Sequence, residues 1–367
     1  MKKLGILLLA AAFAIFGLMT FAACNEETLG PDDPDDPIVT PEPDDPGKPE
    51  EPEATEGLVF ELLTTENSDG LEVLLGEDFE DCYMCYLGTA DGDIVVPSIY
   101  NGLSVRVVRA YGEESDAFND ITSLYIPDSV QSVELLSSYS GYENLKEIRL
   151  PRNPNTMIRG GIYFSSCAFY NDPSNWDNGA LYMDDWLLAT NADLPEEYTV
   201  KQGTYGIASG AFDGSSVKKV TVPDGVQALV GSFADCASLE EVVLPDTLSS
   251  IGYGAFSFCS SLTSITIPDS VTSIGRGAFS GCSSLTSIVI SDSVTSIGDM
   301  AFWGCSSLTS VVIPDRVTSI GGSVFYDCSR LETIFYRGSE AEWNEIEIGR
   351  YNDKLENVEI VFNYTGE

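Results

Sequence analysis

The chain of 367 residues contains no histidine. That removes Ser-His-Asp and Cys-His catalysis, histidine-ligated metals and histidine-based pH switching together. Cations are scarce as well: 18 Lys and Arg stand against 58 Asp and Glu, a formal net charge of −40. Nucleic acid and anionic membrane surfaces both need a cationic face, so neither is an expected partner. The C-x-x-C at Cys82 and Cys85 has no second pair nearby, so a zinc site would lack two ligands. Structural thiols or a local disulfide are the readings left for it. No cofactor motif and no metal site is expected. What the chain does have is apolar content: 43% of its residues are hydrophobic, enough for a sizeable core.

Long apolar runs are also missing. Leu4–Met19 spans 16 uncharged residues, short of the roughly 20 that a membrane helix needs. With Lys2 and Lys3 before it and Ala22-Ala23 after it, the run reads as an export leader. Ala22-Ala23-Cys24 resembles a bacterial lipobox, in which Cys24 is lipidated and becomes the mature N-terminus; Phe21 departs from the usual Leu. Residues 1–23 are thus read as a lipoprotein signal peptide. Residues 24–56 are read as a disordered tether: Asn25–Glu56 holds eight prolines, thirteen acids and one lysine. Proline and self-repulsion both extend such a segment, to a reach on the order of 100 Å. Glu26-Glu27 resembles the surface-export signal of Bacteroidetes-type lipoproteins. The expected location is therefore the cell surface, on the outer membrane in a Gram-negative cell. Tether and leader leave −30 on residues 57–367, so the folded part is acidic in its own right.

Within 57–367 the dominant signal is a repeat. Phe233, Phe256, Phe279, Phe302 and Phe325 recur every 23 residues, as do Cys236, Cys259, Cys282, Cys305 and Cys328. Between them runs LTSITIPDSVTSIG or a variant, with degenerate copies around Phe118, Leu145 and Phe212 and a half-copy at Asp93–Val108. One such unit cannot bury its own apolar set, so copies must stack into a solenoid with a shared core. In the copy at Leu262, the residues Leu262, Ile265, Ile267, Val271, Ile274 and Phe279 are expected inside, and Thr263, Ser264 and Thr266 outside. Gly275 is read as letting the chain turn sharply. The cysteines would lie about 4.8 Å apart with parallel side chains, a poor disulfide geometry. Packing is the reading adopted, with the thiol a small buried hydrophobe and weak donor at an inner corner where a turn's backbone needs a partner.

The motif IPDSVTSIGRGAFSGCSSLTSI, Ile267–Ile288, resembles the BspA-type leucine-rich repeat family, also seen in treponemal repeat proteins. The resemblance implies a β-rich solenoid of 23-residue leucine-rich repeats. Gly179–Thr190 looks like the hairpin such proteins insert, within an irregular segment 152–205. Residues 331–367 look like their C-terminal cap, where Ser339 and Glu342 form a capping box ahead of Trp343. The family resemblance further implies a non-enzymatic surface adhesin that binds host matrix proteins, such as fibronectin or fibrinogen, or other bacteria. The chain is expected to be a monomer.

Two candidate surfaces follow from the residues. The outward strand positions carry Tyr125, Lys146, Arg149, Lys218, Lys219, Glu240 and Glu241 in the irregular early copies, but Thr, Ser and Val in the regular ones. That asymmetry favours the early strand face for specificity, against the plain alternative of a solvated sheet. Trp176 and Trp186 near the hairpin offer ring faces for a glycan if exposed, or pack on adjacent coils if not. A glycan-capture lipoprotein and a ligand-free structural spacer are the competing functions. Asn171–Gly179 lacks the order of a calcium loop and reads as a turn. Cys167 reads as the cysteine of a degenerate copy.

Overall fold

The computed structural model describes residues 54–63, 82–87, 90–109, 121–134, 144–153, 156–158 and 167–366. The leader, Cys24 and the tether up to residue 53 lie outside the described residues. The described chain falls in the compact unit 51–367 and is a β-solenoid.

Each regular coil has three faces, and each face is hydrogen-bonded to its neighbours. The first carries the L-x-x-I-x-I strand. Alternation of side chains places Ile288 inside, and Ser287 and Val289 outside, on strand Ser287–Val289. That strand pairs in parallel with Ser310–Ile313, which pairs with Thr333–Tyr336. In the copies at Pro268 and Pro314 a proline follows the strand, and the Val271 amide closes a turn onto the Pro268 carbonyl at 3.1 Å, as that of Val294 does onto Ser291 at 3.0 Å. The second face is a ladder of two-residue strands, Ser250–Ile251, Ser273–Ile274, Ser296–Ile297 and Ser319–Ile320, paired in parallel. The third is the Ala-Phe turn, where the Phe256 amide donates to the Ala278 carbonyl and that of Phe279 to Ala301, both at 2.8 Å.

A strict 23-residue period puts identical residues in register, and this sets the core. Phe212, Phe233, Phe256, Phe279, Phe302 and Phe325 form one continuous stack with ring centroids 4.9, 5.2, 5.5, 5.5 and 5.7 Å apart. Leu262, Ile265, Ile267, Val271 and Ile274 are all buried with it. Burying each large apolar side chain contributes about 1.5–3 kcal/mol, and the sum accrues only when neighbours are present.

Gly275 has a different role from the one expected. Its backbone is not in the left-handed region; a Cβ there would instead sit 2.6 Å from the carbonyl carbon of Gly252. The same clash, at 2.4–2.7 Å, recurs at Gly252, Gly298, Gly321 and Gly349. The Ile-Gly column is glycine because neighbouring coils touch backbone to backbone. The left-handed residues of the turn come afterwards, at Gly254, Gly277, Met300 and Ser323, and again at Phe258, Gly281, Gly304 and Asp327.

The early half is less regular. Strand Val59–Leu62 runs antiparallel to Cys82–Tyr86, which pairs in parallel with Leu103–Arg109 and through it with Ser132–Glu134. Three residues apart on one strand, Cys82 and Cys85 face opposite sides. Cys85 joins the main core, whereas Cys82 packs with Leu63, Met84 and Val107 on the other face. Both thiols are unbridged. On that second face Arg109 and Glu134 form a buried ion pair at 2.8 Å.

The inserted hairpin pairs Ala180–Met183 with Trp186–Thr190, turning at Asp184 with φ +50°. Its second strand continues in parallel into Gly206–Ile207, which ties the hairpin to the stack. Glu197–Thr199, inside the segment read from sequence as irregular, is a repeat strand in register with Lys219–Thr221. At the C-terminal end the Ser339–Glu342 capping box is formed, and Trp343 is buried edge-on against Tyr336 at 5.1 Å. Glu347–Ile348 and Glu359–Val361 then extend the second and first faces by one strand each.

Candidate binding surfaces

The cysteine column is built by the turn. Each Sγ points at the carbonyl of the phenylalanine one coil back: Cys259 to Phe233 at 3.0 Å, Cys282 to Phe256 at 3.1 Å, Cys305 to Phe279 at 3.1 Å and Cys328 to Phe302 at 3.0 Å. Cys236 reaches Phe212 more loosely at 3.7 Å. All eight described cysteines are buried and unbridged. Burial pushes the Cys85, Cys167 and Cys328 thiols up to about 12 and Cys305 higher still. Such thiols are protonated near neutral pH and are not nucleophiles. Among the described residues no cluster of three or more Cys, Asp or Glu could hold a metal ion. No described helix is long and apolar enough to cross a membrane.

The early strand face is shaped by cross-strand pairs. Ser123, Leu124 and Tyr125 lie in register with Glu147, Ile148 and Arg149. The inward Leu124 and Ile148 are buried, which turns Tyr125 and Arg149 outward together. The Arg149 guanidinium sits over the Tyr125 ring, 4.7 Å from its centroid. Lys146 is exposed beside them. The face also holds a residue that sequence reasoning missed. Asp93 accepts hydrogen bonds from Thr122 Oγ1 at 2.8 Å and Ser123 Oγ at 2.7 Å, and these hold its carboxyl below the usual range. Its signal was present as an acid at an outward position of the first half-copy.

Further along, Lys218 and Lys219 are flanked on both sides by acids. Lys219 lies between Glu197 and Glu241 in register. Lys218 pairs with Glu196, and Lys219 with Glu241, each at 2.8 Å. Both lysine pKa values are raised, first by those hydrogen bonds. Glu240 and Glu241 are exposed. Here two cations sit among four glutamates, so this stretch is net acidic, while the Tyr125–Arg149 stretch is where a cation and a ring meet.

The hairpin aromatics separate. Trp186 is 2% exposed, and its ring lies on Gly206, where a Cβ would meet it at 2.5 Å. It has no face for a ligand. Trp176 is half-buried, its Nε1 donating to the Tyr170 carbonyl at 2.7 Å, and it lines a shallow cleft with Asn171, Asn178, Asn191 and Asp193.

The Ala-Phe turn face carries an unforeseen feature. Phe258 is 50% exposed and Met300 40%, at left-handed positions that Gly281 and Gly277 fill elsewhere. Beyond them lies a cleft of about 260 Å³ lined by Tyr326, Asp327, Ser329, Tyr351, Asp353, Lys354 and Asn357. In the repeat register a Phe at a glycine site looks like ordinary variation until the φ angle is known.

No curated protein matches the chain. Among solved structures it is similar to the leucine-rich repeat protein TpLRR of T. pallidum, at 21% identity over 75% of this chain and 80% of that one, with a TM-score of 0.29. It is similar to the pneumococcal vaccine antigen PcpA at 17% identity over 76% and 75%, TM-score 0.40. A leucine-rich repeat protein of Bacteroides ovatus gives 21% identity over 86% and 79%, TM-score 0.31. The model of the BspA type leucine rich repeat region matches residues 114–232 and 230–346, with six copies. The chain therefore belongs to the BspA-type leucine-rich repeat family.

Proposed function

We propose that the protein is a non-enzymatic binding protein of the cell surface, an adhesin that recognises a host matrix protein or a protein of another cell. In this reading it is held at the membrane by a lipid on Cys24 and projected by the acidic tether. The carrying observation is the uneven strand face. Variety is concentrated in the early copies, where Arg149 over Tyr125, Lys146 and the Asp93 hydroxyl cluster share one sheet. The regular copies present Ser, Thr and Val. A ring with a guanidinium stacked above it is the kind of anchor that is enriched at the centre of protein interfaces. A repeat sheet also offers the extended surface that such partners need.

The test is binding of the purified protein to immobilised fibronectin and fibrinogen, beside a variant with Lys146, Arg149, Lys218 and Lys219 changed to Ser. Lys218 and Lys219 sit in exposed pairs of small energetic weight, so the variant should fold. Saturable binding lost in the variant supports the reading. Binding that persists unchanged moves the site off this face, and absence of binding leaves the structural spacer in front.

A further inference from the structure

The turn-face cleft between the last regular coil and the cap has the chemistry of a sugar site. We infer that Tyr326 and Tyr351 form a binding site for a neutral glycan, separate from the strand face and independent of the adhesin reading.

Three observations converge. The first is ring exposure in a concave place: Tyr326 is 53% and Tyr351 71% exposed, the latter the most exposed large hydrophobic side chain among the described residues, and both line the same 260 Å³ cleft. A pyranose presents an apolar C–H face that rests on such rings. The second is the polar set. Asp327 and Asp353 supply acceptors, Lys354 and Asn357 supply donors, and Ser329 and the two phenols do either. A sugar hydroxyl donates and accepts at once, so it uses both kinds. Two carboxylates against one ammonium leave this spot with one net negative charge. That disfavours an anionic ligand.

The third is backbone strain. Tyr351 has φ +64° at the ladder position occupied by Gly254, Gly277, Met300 and Ser323 in earlier coils, and is the one aromatic residue of that series. The equivalence is fixed by the turn-face bonds, since the Gly254 amide donates to the Arg276 carbonyl and the Ser323 amide to that of Arg350. A bulky aromatic residue in the left-handed region is a genuine outlier, and such strain concentrates at ligand sites. Nothing in the packing demands the ring: it stands in solvent.

The experiment is native affinity electrophoresis of the full chain in gels containing a soluble neutral glucan, galactomannan or xylan, with dextran sulfate as an anionic control. Expected is retardation by at least one neutral polymer, weakened at least tenfold in Tyr326→Ala and in Tyr351→Gly. The second variant removes the strained side chain, so its melting temperature should stay level or rise while binding falls. The strand-face variant should be retarded like the parent, which separates failure here from failure of the adhesin reading. No retardation by any neutral polymer, retardation only by dextran sulfate, or retardation unchanged in both tyrosine variants overturns the proposal. So does capture of a protein ligand by this cleft with no polysaccharide bound.

Discussion

Two glycines two residues apart separate two physical reasons for glycine in this fold. At Gly275 an added Cβ would lie 2.6 Å from the Gly252 carbonyl carbon and 2.9 Å from the Tyr253 nitrogen. Ordinary carbon contact begins near about 3.5 Å, so Gly275→Ala must part the coils by roughly 0.9 Å. The bond from the Gly275 amide to the Ile251 carbonyl, now 2.7 Å, would then stretch beyond useful length. Loss of a ladder bond costs about 1 kcal/mol and overpacking about 1–3 kcal/mol more, so a cost of about 3 kcal/mol is expected. At Gly277 the nearest neighbour to a Cβ is 3.9 Å away, but φ is +62°. Gly277→Ala should therefore cost only the left-handed penalty, about 1–2 kcal/mol. Asparagine tolerates that conformation, so Gly277→Asn should be milder than Gly277→Ala, whereas Gly275→Asn should be worse than Gly275→Ala. Denaturant unfolding followed by circular dichroism gives the ranking. Amide exchange across the neighbouring coils guards against segmental unfolding, to which repeat arrays are prone. An alanine cost at Gly277 equal to or above that at Gly275 would refute the close-approach argument.

The remaining predictions concern other parts of the stack. None of the described thiols should react with a thiol-alkylating reagent in the folded protein at pH 8, and all should react once it is unfolded. Because folding raises Cys85, Cys167 and Cys328 from 9.0 to about 12, the unfolded chain ionises first. Stability is then fully present below pH 9 and falls as pH rises toward 12, and a flat denaturation midpoint across that window would contradict it. Arg109→Ala breaks the buried ion pair with Glu134, so it should cost about 3–5 kcal/mol. Replacing the pair together, Arg109→Met with Glu134→Leu, should recover most of that, as a double-mutant cycle would read. Ser339→Ala removes the capping box and should cost about 1 kcal/mol, seen as earlier thermal loosening of Trp343 fluorescence than of the coils.

The sequence by itself determined the stack. Period, inward positions and chemistry agree in every regular copy: Phe279 and Cys282 recur because in-register residues meet their own kind one coil away. Periodicity is a one-dimensional property, so a solenoid is legible from it. The capping box is local for the same reason, resting on two residues three apart. Only the tertiary structure decided the rest. Whether Trp186 faces solvent depended on Gly206, twenty residues on, lying beneath its ring. The neutralisation of Lys218 and Lys219 depended on glutamates delivered by neighbouring strands. Gly275 and Gly277 are the same letter in the sequence, and only the distance between coils and the sign of φ tell them apart. The exposed tyrosines of the cleft came from a repeat coil and from the cap, two segments with no shared pattern. Side-chain exposure is set by what other coils place nearby, and a repeat motif specifies the copy without specifying its exceptions.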